Sequence, residues 1–203
     1  MTKLKGADMK KELLYFTFSN IPKLTTERLL LRKMKVSDAA DMFEYSRLRN
    51  VTKYLTWNPH PNINYTEEYL RYISTRYATG DFYDWAVTLK ESGKMIGTCG
   101  FTRFDLTNNS AEIGYVLNPA YHGKGYATEA AREVMRFGFD DLKLHRIEAR
   151  HMLGNDASHK VMEKLGMTEE GTFRESYYVK REYRTVTVCA ILEGEYYNLT
   201  NRF

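Results

Sequence analysis

The chain has 203 residues, of which 43% are hydrophobic and 28% are charged, a composition typical of one globular domain with a substantial core. Its formal net charge of +4 is compatible with an anionic ligand, but an ordinary solvated surface explains it equally well. The two cysteines lack CxxC spacing and indicate no disulfide framework, and no segment is long and apolar enough to span a membrane. We therefore expect a cytoplasmic protein that makes no membrane contact.

Hydrophobic periodicity and turn signals predict one domain over residues 21–203, preceded by an extension over residues 1–20 that contains a short helix. The predicted elements are, in chain order, strand 28–34, helices 37–48 and 66–77, strands 82–89, 94–104 and 111–117, a helix that includes 127–142, strand 144–151, helix 156–165, and strands 167–179 and 184–192. Since strands and helices do not alternate throughout, this order predicts an α+β fold of the three-layer α/β type, with a mixed sheet and helices packed on it.

The most informative segment is a glycine-rich turn that connects a strand to an amphipathic helix, with the sequence YHGKGYATEAA over residues 121–131. Gly123 and Gly125 have no Cβ, so the backbone can curl there and a ligand can approach its amide groups closely. The first turn of a helix has N–H groups without internal partners, and the helix dipole adds partial positive charge. We therefore expect a ligand with phosphate groups at this turn.

Two common phosphate-binding patterns do not fit the sequence. The chain lacks the Walker string of a glycine, four residues and then Gly-Lys-Ser/Thr. A dinucleotide fingerprint would need Gly or Ala at Thr128 and a repeating βαβ array after it, whereas the chain ends in a predicted antiparallel pair. The turn therefore indicates a different class of phosphate ligand.

Two longer runs carry a family resemblance, EIGYVLNPAYHGKGYATEA and RIEARHMLGNDASHKVMEKLGMTEEGTFRES, and a third, TTERLLLRKMKVSDA, opens the domain. Together they resemble the GNAT superfamily of acetyl-CoA-dependent N-acetyltransferases, and more narrowly its branch of bacterial ribosomal-protein N-terminal acetyltransferases. The resemblance covers residues 24–193. It implies a GNAT-like, mostly antiparallel central sheet of about seven strands flanked by about four helices. It also implies transfer of an acetyl group from acetyl-CoA to a primary amine, by direct attack in a ternary complex.

The same resemblance assigns a coenzyme A site residue by residue. His122, Gly125 and Ala127 occupy the family's loop positions, with a histidine where Gln or Arg is usual. Asn155 matches the asparagine that contacts the cofactor arm, and Ser158 completes the NxxS pattern. The strand before the turn would pair with the pantetheine arm through its backbone. The implied cofactor-binding residues are Val116, Leu117, His122, Gly123, Lys124, Gly125, Tyr126, Ala127, Thr128, Asn155 and Ser158.

Acetyl transfer to an amine requires a neutral nucleophile, a donor for the oxyanion and a proton for the leaving thiolate. Glu112, beside the predicted groove, is the candidate general base, although a merely exposed strand residue would look the same. The resemblance implies the Leu117 amide as oxyanion donor and Ser158 as proton donor, a role that competes with ordinary backbone bonding by serine. Some relatives place a glutamate base at the position that Tyr177 occupies here. Glu175, two residues earlier, would share a strand face with Tyr177 and is a second candidate base.

The sequence leaves the acceptor open between a protein N-terminal α-amine, a small amine and an antibiotic, and a catalytically silent acyl-CoA-binding module is a further alternative.

The histidines show no metal-ligand spacing, and the scattered basic residues form no nucleic-acid motif, so we expect neither a metal nor direct nucleic-acid binding. Oligomeric state is equally open, with a homodimer as one option. A group of early aromatic residues either packs in the core or walls the acceptor site: Tyr54, Trp57, Tyr65, Tyr69 and Tyr72.

Overall fold

The computed structural model describes residues 6–200, in which helices pack against one eight-stranded sheet. The strands are β1 (Leu24–Thr25), β2 (Leu29–Arg32), β3 (Asp84–Leu89), β4 (Met95–Asp105), β5 (Ser110–Leu117), β6 (Arg146–Met152), β7 (Thr168–Val179) and β8 (Glu182–Leu192). The α-helices of this part of the chain are α1 (Gly6–Ser19), α2 (Ala39–Ser46), α3 (Arg49–Thr52), α4 (Ile63–Ala78), α5 (Tyr126–Arg136), α6 (Asp156–Lys164) and α7 (Glu193–Thr200). None of these helices is both long and apolar enough to cross a bilayer.

The strand order is β1-β2-β3-β4-β5-β6-β8-β7, and the pairing of β5 with β6 is parallel while the other neighbouring strands are antiparallel. The parallel pairing begins at Ser110↔Arg146 and ends at Ile113↔Ala149. Beyond that point residues 114–117 of β5 remain paired with β4 but have no register partner on β6. The two strands therefore diverge and leave a gap in the sheet.

An aromatic cluster joins α1 to the sheet and to the chain that follows α5. Phe18 is fully buried, with ring centroids 4.8 Å from Tyr83, 5.7 Å from Trp85 and 6.3 Å from Phe137. Burying a phenylalanine of this kind contributes about 2–3 kcal/mol to stability. The predicted domain boundary at residue 21 stays a prediction, but α1 supplies a core residue. Residues 1–5 of the predicted extension lie outside the described residues.

The predicted fold class is confirmed, because the sheet is mixed and mostly antiparallel, with helices packed on it. Residues 6–200 contain one strand more than the expected number of about seven, and more helices than the expected number of about four. The elements that sequence patterns missed include the two-residue strand β1 and the four-residue helix α3. Elements this short show no hydrophobic period that could be recognised.

Two predicted helix boundaries are wrong for local reasons. Helix α4 begins before Thr66, because the Asn62 side chain accepts a hydrogen bond of 2.9 Å from the Tyr65 N–H and caps the helix there. Helix α5 ends at Arg136 and is followed by a π-helical turn over Phe137–Asp141. Leu142 therefore lies beyond α5 and not on its apolar face.

Candidate active site

Two adjoining cavities open where β5 and β6 diverge. The first, called here the loop groove, has a volume of about 440 Å³ and is lined by the glycine turn, the end of β5 and part of α6. The second, called here the aromatic cavity, has a volume of about 720 Å³ and lies between the sheet, α2 and the segment that leads into α4. Both are lined by Tyr54, Leu55, Tyr115, Val116 and Asn155. Molecules bound in the two cavities would therefore meet at the gap.

The loop groove exposes bare backbone at the start of α5. Gly123 and Gly125 have φ angles of 74° and 82°, in the left-handed region that favours glycine, and Gly125 is the N-cap of the helix. The unpaired N–H groups of the first helical turn lie beside these glycines. All of the predicted cofactor residues except Lys124 line this groove.

The cation that contacts the glycine turn is Arg28, which the sequence did not indicate. Its Nη1 donates a 3.0 Å hydrogen bond to the Lys124 carbonyl, and its guanidinium lies 4.4 Å from the Tyr126 ring centroid. Arg28 also binds Glu129 on α5 through a 2.7 Å hydrogen bond. Although burial acts to raise it, hydrogen bonds including those from Arg28 keep the pKa of Glu129 below its usual value. The ammonium of Lys124 lies over the Tyr121 ring, 5.3 Å from its centroid.

The end of β5 directs one backbone amide into the gap. The Asn118 N–H donates to the Ile96 carbonyl at 2.8 Å and therefore points towards β4. Because successive residues of a strand point their backbone groups to opposite sides, the N–H of Leu117 points away from β4, where β6 has diverged. The Leu117 carbonyl points the same way and lies 3.0 Å from His122 Nε2. The predicted oxyanion donor thus lies in the loop groove, one residue beyond Val116, which lines both cavities.

Ser158 is held by a tyrosine that the sequence did not single out. The Tyr115 hydroxyl donates to the Ser158 carbonyl at 3.0 Å and lies 3.1 Å from Ser158 Oγ. A phenol has one hydrogen, so with this donation the serine hydroxyl is the donor in the second contact. Burial raises the pKa of Tyr115 well above its usual value, against a lowering effect of the Ser158 hydrogen bond. The two side chains form one hydroxyl pair beside the gap.

Glu112 lies in the aromatic cavity within a network of charges. Its carboxylate accepts a 3.0 Å hydrogen bond from Thr102 Oγ1 and lies 3.1 Å from Arg150 Nε, which is not aligned with it for a hydrogen bond. Glu112 is the register partner of Glu148 on β6, and Arg103 and Arg150 each contact both carboxylates. These arginines offset the repulsion between two neighbouring carboxylates, and the carboxylate of Glu112 faces the cavity.

Comparison with known proteins agrees with this geometry. The chain matches the acetyltransferase (GNAT) domain family over residues 28–168. It belongs to the GNAT family. An uncharacterised N-acetyltransferase of Bacillus licheniformis, p20, is 35% identical over 85% of the chain and 97% of its own length. The crystal structure of a GNAT-family acetyltransferase from Bacillus anthracis aligns with a TM-score of 0.76 and 33% identity, over 86% of this chain and 100% of that one.

A third relative, from Bacillus subtilis (strain 168), is provisionally named a ribosomal N-acetyltransferase; it is 27% identical over 84% of this chain and 94% of its own. The resemblance to the ribosomal-protein branch of the GNAT family, predicted from sequence, is therefore confirmed. The protein is an acetyl-CoA-dependent N-acetyltransferase. The glycine cradle of the loop groove fits the diphosphate of this co-substrate, because a diphosphate needs backbone donors with no side chain in front of them.

The aromatic cavity of this GNAT domain is walled by most of the early aromatic residues. Tyr54, Trp57, Tyr65 and Tyr69 line it, whereas Tyr72 is 53% exposed and does not. The Tyr54 hydroxyl also donates a 2.8 Å hydrogen bond to the carbonyl of Gly154, in the connection between β6 and α6. Four of these five residues therefore line the cavity.

The second candidate base of the GNAT domain is not in the site. Tyr177 lines the aromatic cavity, but Glu175 lines neither cavity. The pairing of β7 is irregular between Phe173 and Tyr177, and Glu175 has a φ of 51° within this irregularity. The two-residue alternation that predicted a shared face for Glu175 and Tyr177 does not hold across such a bulge.

Two titratable residues in the aromatic cavity were missed from the sequence. Asp84 lines the cavity, and burial raises its pKa to about 7 against the opposing hydrogen bonds of Thr98 and the Trp85 N–H. His60 is 8% exposed and its Nδ1 lies 2.8 Å from Thr66 Oγ1; burial lowers its pKa. Neither residue belongs to a local sequence motif. Tertiary packing brings them into the cavity, so the sequence alone did not reveal them.

Three side chains that could together hold a metal ion lie near the aromatic cavity, which His151 lines. His151, His159 and Cys189 place their ligand atoms within 4.8 Å of one another, and the two imidazoles are in contact at 3.2 Å. They come from β6, α6 and β8, so sequence spacing did not reveal the cluster. The expectation that the enzyme needs no metal stays a prediction.

Proposed function

We propose that this GNAT enzyme transfers the acetyl group to a primary amine by direct attack within a ternary complex. The observation that supports this is the meeting of two cavities at one gap, with Glu112 in the aromatic cavity and Ser158 in the loop groove. The amine nitrogen attacks the thioester carbonyl carbon, the carbon–sulfur bond breaks, and one proton leaves the nitrogen while one joins the sulfur. Holding both substrates in contact removes much of the entropic barrier of this two-substrate reaction.

The co-substrate would bind through main-chain groups. Its diphosphate would lie on the N–H groups between Gly123 and Thr128, at the positive end of α5. The pantetheine arm would follow residues 114–117 of β5, whose free edge is exposed by the divergence of β6. Asn155 makes no capping bond on α6, so its side chain is available to contact that arm.

Glu112 would act as general base. The attacking amine must be neutral, and an α-amine titrates at about 7.7–8.0 whereas a lysine side chain titrates at about 10.4. A carboxylate that faces the cavity can accept the proton, directly or through one water. Arg150 and Arg103 hold this carboxylate in place while the Thr102 hydroxyl fixes one of its oxygens.

Residues beside the gap would stabilise the oxyanion and protonate the departing thiolate. The Leu117 N–H, directed away from β4, would donate to the oxyanion, an interaction often worth ~3–4 kcal/mol in acyl transfer. Ser158 would give its proton to the departing thiolate, and the Tyr115 hydroxyl, 3.1 Å away, would hold the serine hydroxyl in position. Each of these groups lines the loop groove where it adjoins the aromatic cavity.

The acceptor would be a primary amine that enters the aromatic cavity. A protein N-terminal α-amine is the first candidate, because the chain resembles the ribosomal-protein branch. A small amine is the second, because a cavity of about 720 Å³ can enclose one. An antibiotic amine belongs to the same class.

The test is release of free thiol from acetyl-CoA with panels of peptides and small amines. We expect turnover with at least one acceptor and its loss in Glu112→Gln. Glu175→Gln is the matched control, since that carboxylate lies in neither cavity. Binding of coenzyme A without turnover on any acceptor would instead support the silent acyl-CoA-binding module.

A further inference from the structure

A carboxylate that has no place in acetyl transfer lies on the floor of the aromatic cavity. In the register of the sheet, Asp84 on β3 pairs with Gly100 on β4, which pairs in turn with Gly114 on β5. Paired residues share a face of a sheet, and so do residues two apart along a strand, so Asp84 lies on the same face as Glu112. The spacing of strands and residues places their Cα atoms roughly 12 Å apart.

The floor between the two carboxylates consists of glycine. A Cβ on Gly100 would lie 2.4 Å from the Asp84 Cα and 2.8 Å from its Oδ1, closer than real Cβ contacts allow. A Cβ on Gly114 would lie 2.7 Å from a side-chain carbon of Thr102. The absence of side chains at these two positions keeps the Asp84 carboxylate open to the cavity.

The Asp84 carboxylate has no cationic partner in the part of the chain that the structure describes. Within residues 6–200 only neutral donors, Thr98 and the Trp85 N–H, support its charge. The two arginines that line the cavity are engaged by other carboxylates, Arg76 by Asp81 at 2.7 Å and Arg150 by Glu112 at 3.1 Å. A cavity wall with one uncompensated negative charge favours a cationic occupant.

A second polar group on the wall of the cavity is also unpartnered. Tyr45 is 2% exposed, and its hydroxyl finds no hydrogen-bond partner within residues 6–200, a costly arrangement for a buried group. Tyr45, Tyr69 and Asp84 line the same cavity, and burial first, then the charge of Asp84, raise the pKa of both phenols. An ammonium group has three N–H donors, and the cavity wall offers three oxygen-bearing side chains, Asp84, Tyr45 and Tyr69.

We propose that Asp84 binds a second ammonium group of the acceptor, so that the substrate is a diamine whose other amine reacts beside Glu112. The inference rests on the proposed function, since it assumes that the acceptor occupies the aromatic cavity. The aromatic wall fits the same substrate, because tyrosine and tryptophan faces attract cations. An alkyl chain between the two amines would cross the glycine floor, which has no side chains to obstruct it.

The test is calorimetric binding to the full-length enzyme saturated with coenzyme A, at pH 8, where most of the Asp84 carboxyl groups are ionised. The ligands are linear α,ω-diamines and, for each, the alkylamine that carries a methyl group in place of the second amine. We expect the wild type to bind the best diamine at least about tenfold more tightly than its alkylamine. Asp84→Asn should abolish this preference and leave alkylamine binding unchanged, and Tyr45→Phe should weaken the preference.

Asp105→Asn is the matched control, because it removes the same charge from an exposed carboxylate that lines neither cavity; the preference should persist. Equal binding of diamine and alkylamine by the wild type, or a preference that survives in Asp84→Asn, would overturn the inference. So would binding of N-terminal peptides by a wild type that ignores diamines, and that outcome leaves the proposed acetyl transfer intact. Diamine binding that depends on Asp84 but releases no thiol from acetyl-CoA would support the subsite and refute the transfer.

Discussion

Replacing Asp84 by asparagine should make the protein more stable at pH 8. A buried carboxylate without a cationic partner destabilises the folded state, because its charge is less well solvated there than in the unfolded chain. The amide oxygen of asparagine can still accept the 3.0 Å hydrogen bond that the Trp85 N–H donates to Asp84 Oδ1. The substitution therefore removes a charge and keeps both the shape and this hydrogen bond.

The magnitude follows from the pKa of the group. Burial raises the pKa of Asp84 from 3.8 to about 7. The difference of about 3 corresponds to roughly 4 kcal/mol, which is an upper limit because water that enters the cavity solvates the charge. We expect Asp84→Asn to gain about 2–4 kcal/mol in unfolding free energy at pH 8, a large change for one substitution.

The direction in which the unfolding free energy changes with pH follows from the two pKa values of Asp84, in the unfolded and the folded state. Below pH 3.8 the carboxyl group is protonated in both states and costs nothing. Between pH 3.8 and 7 the unfolded chain loses the proton while the folded protein retains it, so the unfolding free energy of the wild type falls as pH rises. Above pH 7 both states are ionised and the penalty is constant. The gain from Asp84→Asn should therefore be about half as large at pH 5.5 as at pH 8.

Urea unfolding followed by tryptophan fluorescence at these two pH values measures the effect. Asp81→Asn is the control: Asp81 is 48% exposed and bound by Arg76, so its removal should change stability little at either pH. A loss of stability in Asp84→Asn at pH 8, or a gain that does not vary with pH, would show that the ionised Asp84 carboxylate does not destabilise the folded protein.

Three further predictions concern the chemistry. Glu112→Gln should lower kcat by about 10²- to 10⁴-fold with little change in the KM for acetyl-CoA, as steady-state thiol release will show. Ser158→Ala should lower kcat about tenfold, and Tyr115→Phe should lower it less, because the phenol acts through the serine hydroxyl. Gly125→Val should weaken coenzyme A binding at least about tenfold by calorimetry, because a branched side chain strains a backbone with a φ of 82°. Unchanged kcat in the first two cases, or unchanged affinity in the third, would contradict the assigned role.

Local sequence patterns predicted the parts of the site that lie on one continuous stretch. The end of β5, the glycine turn and the first turn of α5 follow one another along the chain, so their hydrophobic period and their glycines predicted the loop groove. Strand β5 was also predicted, over residues 111–117, because turn signals bound an alternating run there. The family resemblance then supplied the nature of the ligand.

Contacts between distant segments could not be predicted in this way. Arg28 reaches the glycine turn from β2, and Tyr115 on β5 reaches Ser158 on α6. Asp84 has an ordinary position at the start of a strand, and only the sheet register shows that two glycines leave its carboxylate open to the cavity. No periodicity or motif records which strands become neighbours, so these residues became visible only in the fold.

The divergence of β5 from β6 shows how one strand would serve both substrates of the proposed reaction. Side chains on a strand alternate between faces, so Glu112 points into the aromatic cavity while Tyr115 points to the side of α6 and bonds Ser158. Between them, the free edge at residues 114–117 offers backbone groups to whatever lies in the gap. A shift of β5 by one residue would exchange the two faces, taking Glu112 out of the aromatic cavity and Tyr115 away from Ser158. Pairing with β4 along the whole of β5, and with β6 at Glu112, fixes the register on which both cavities depend.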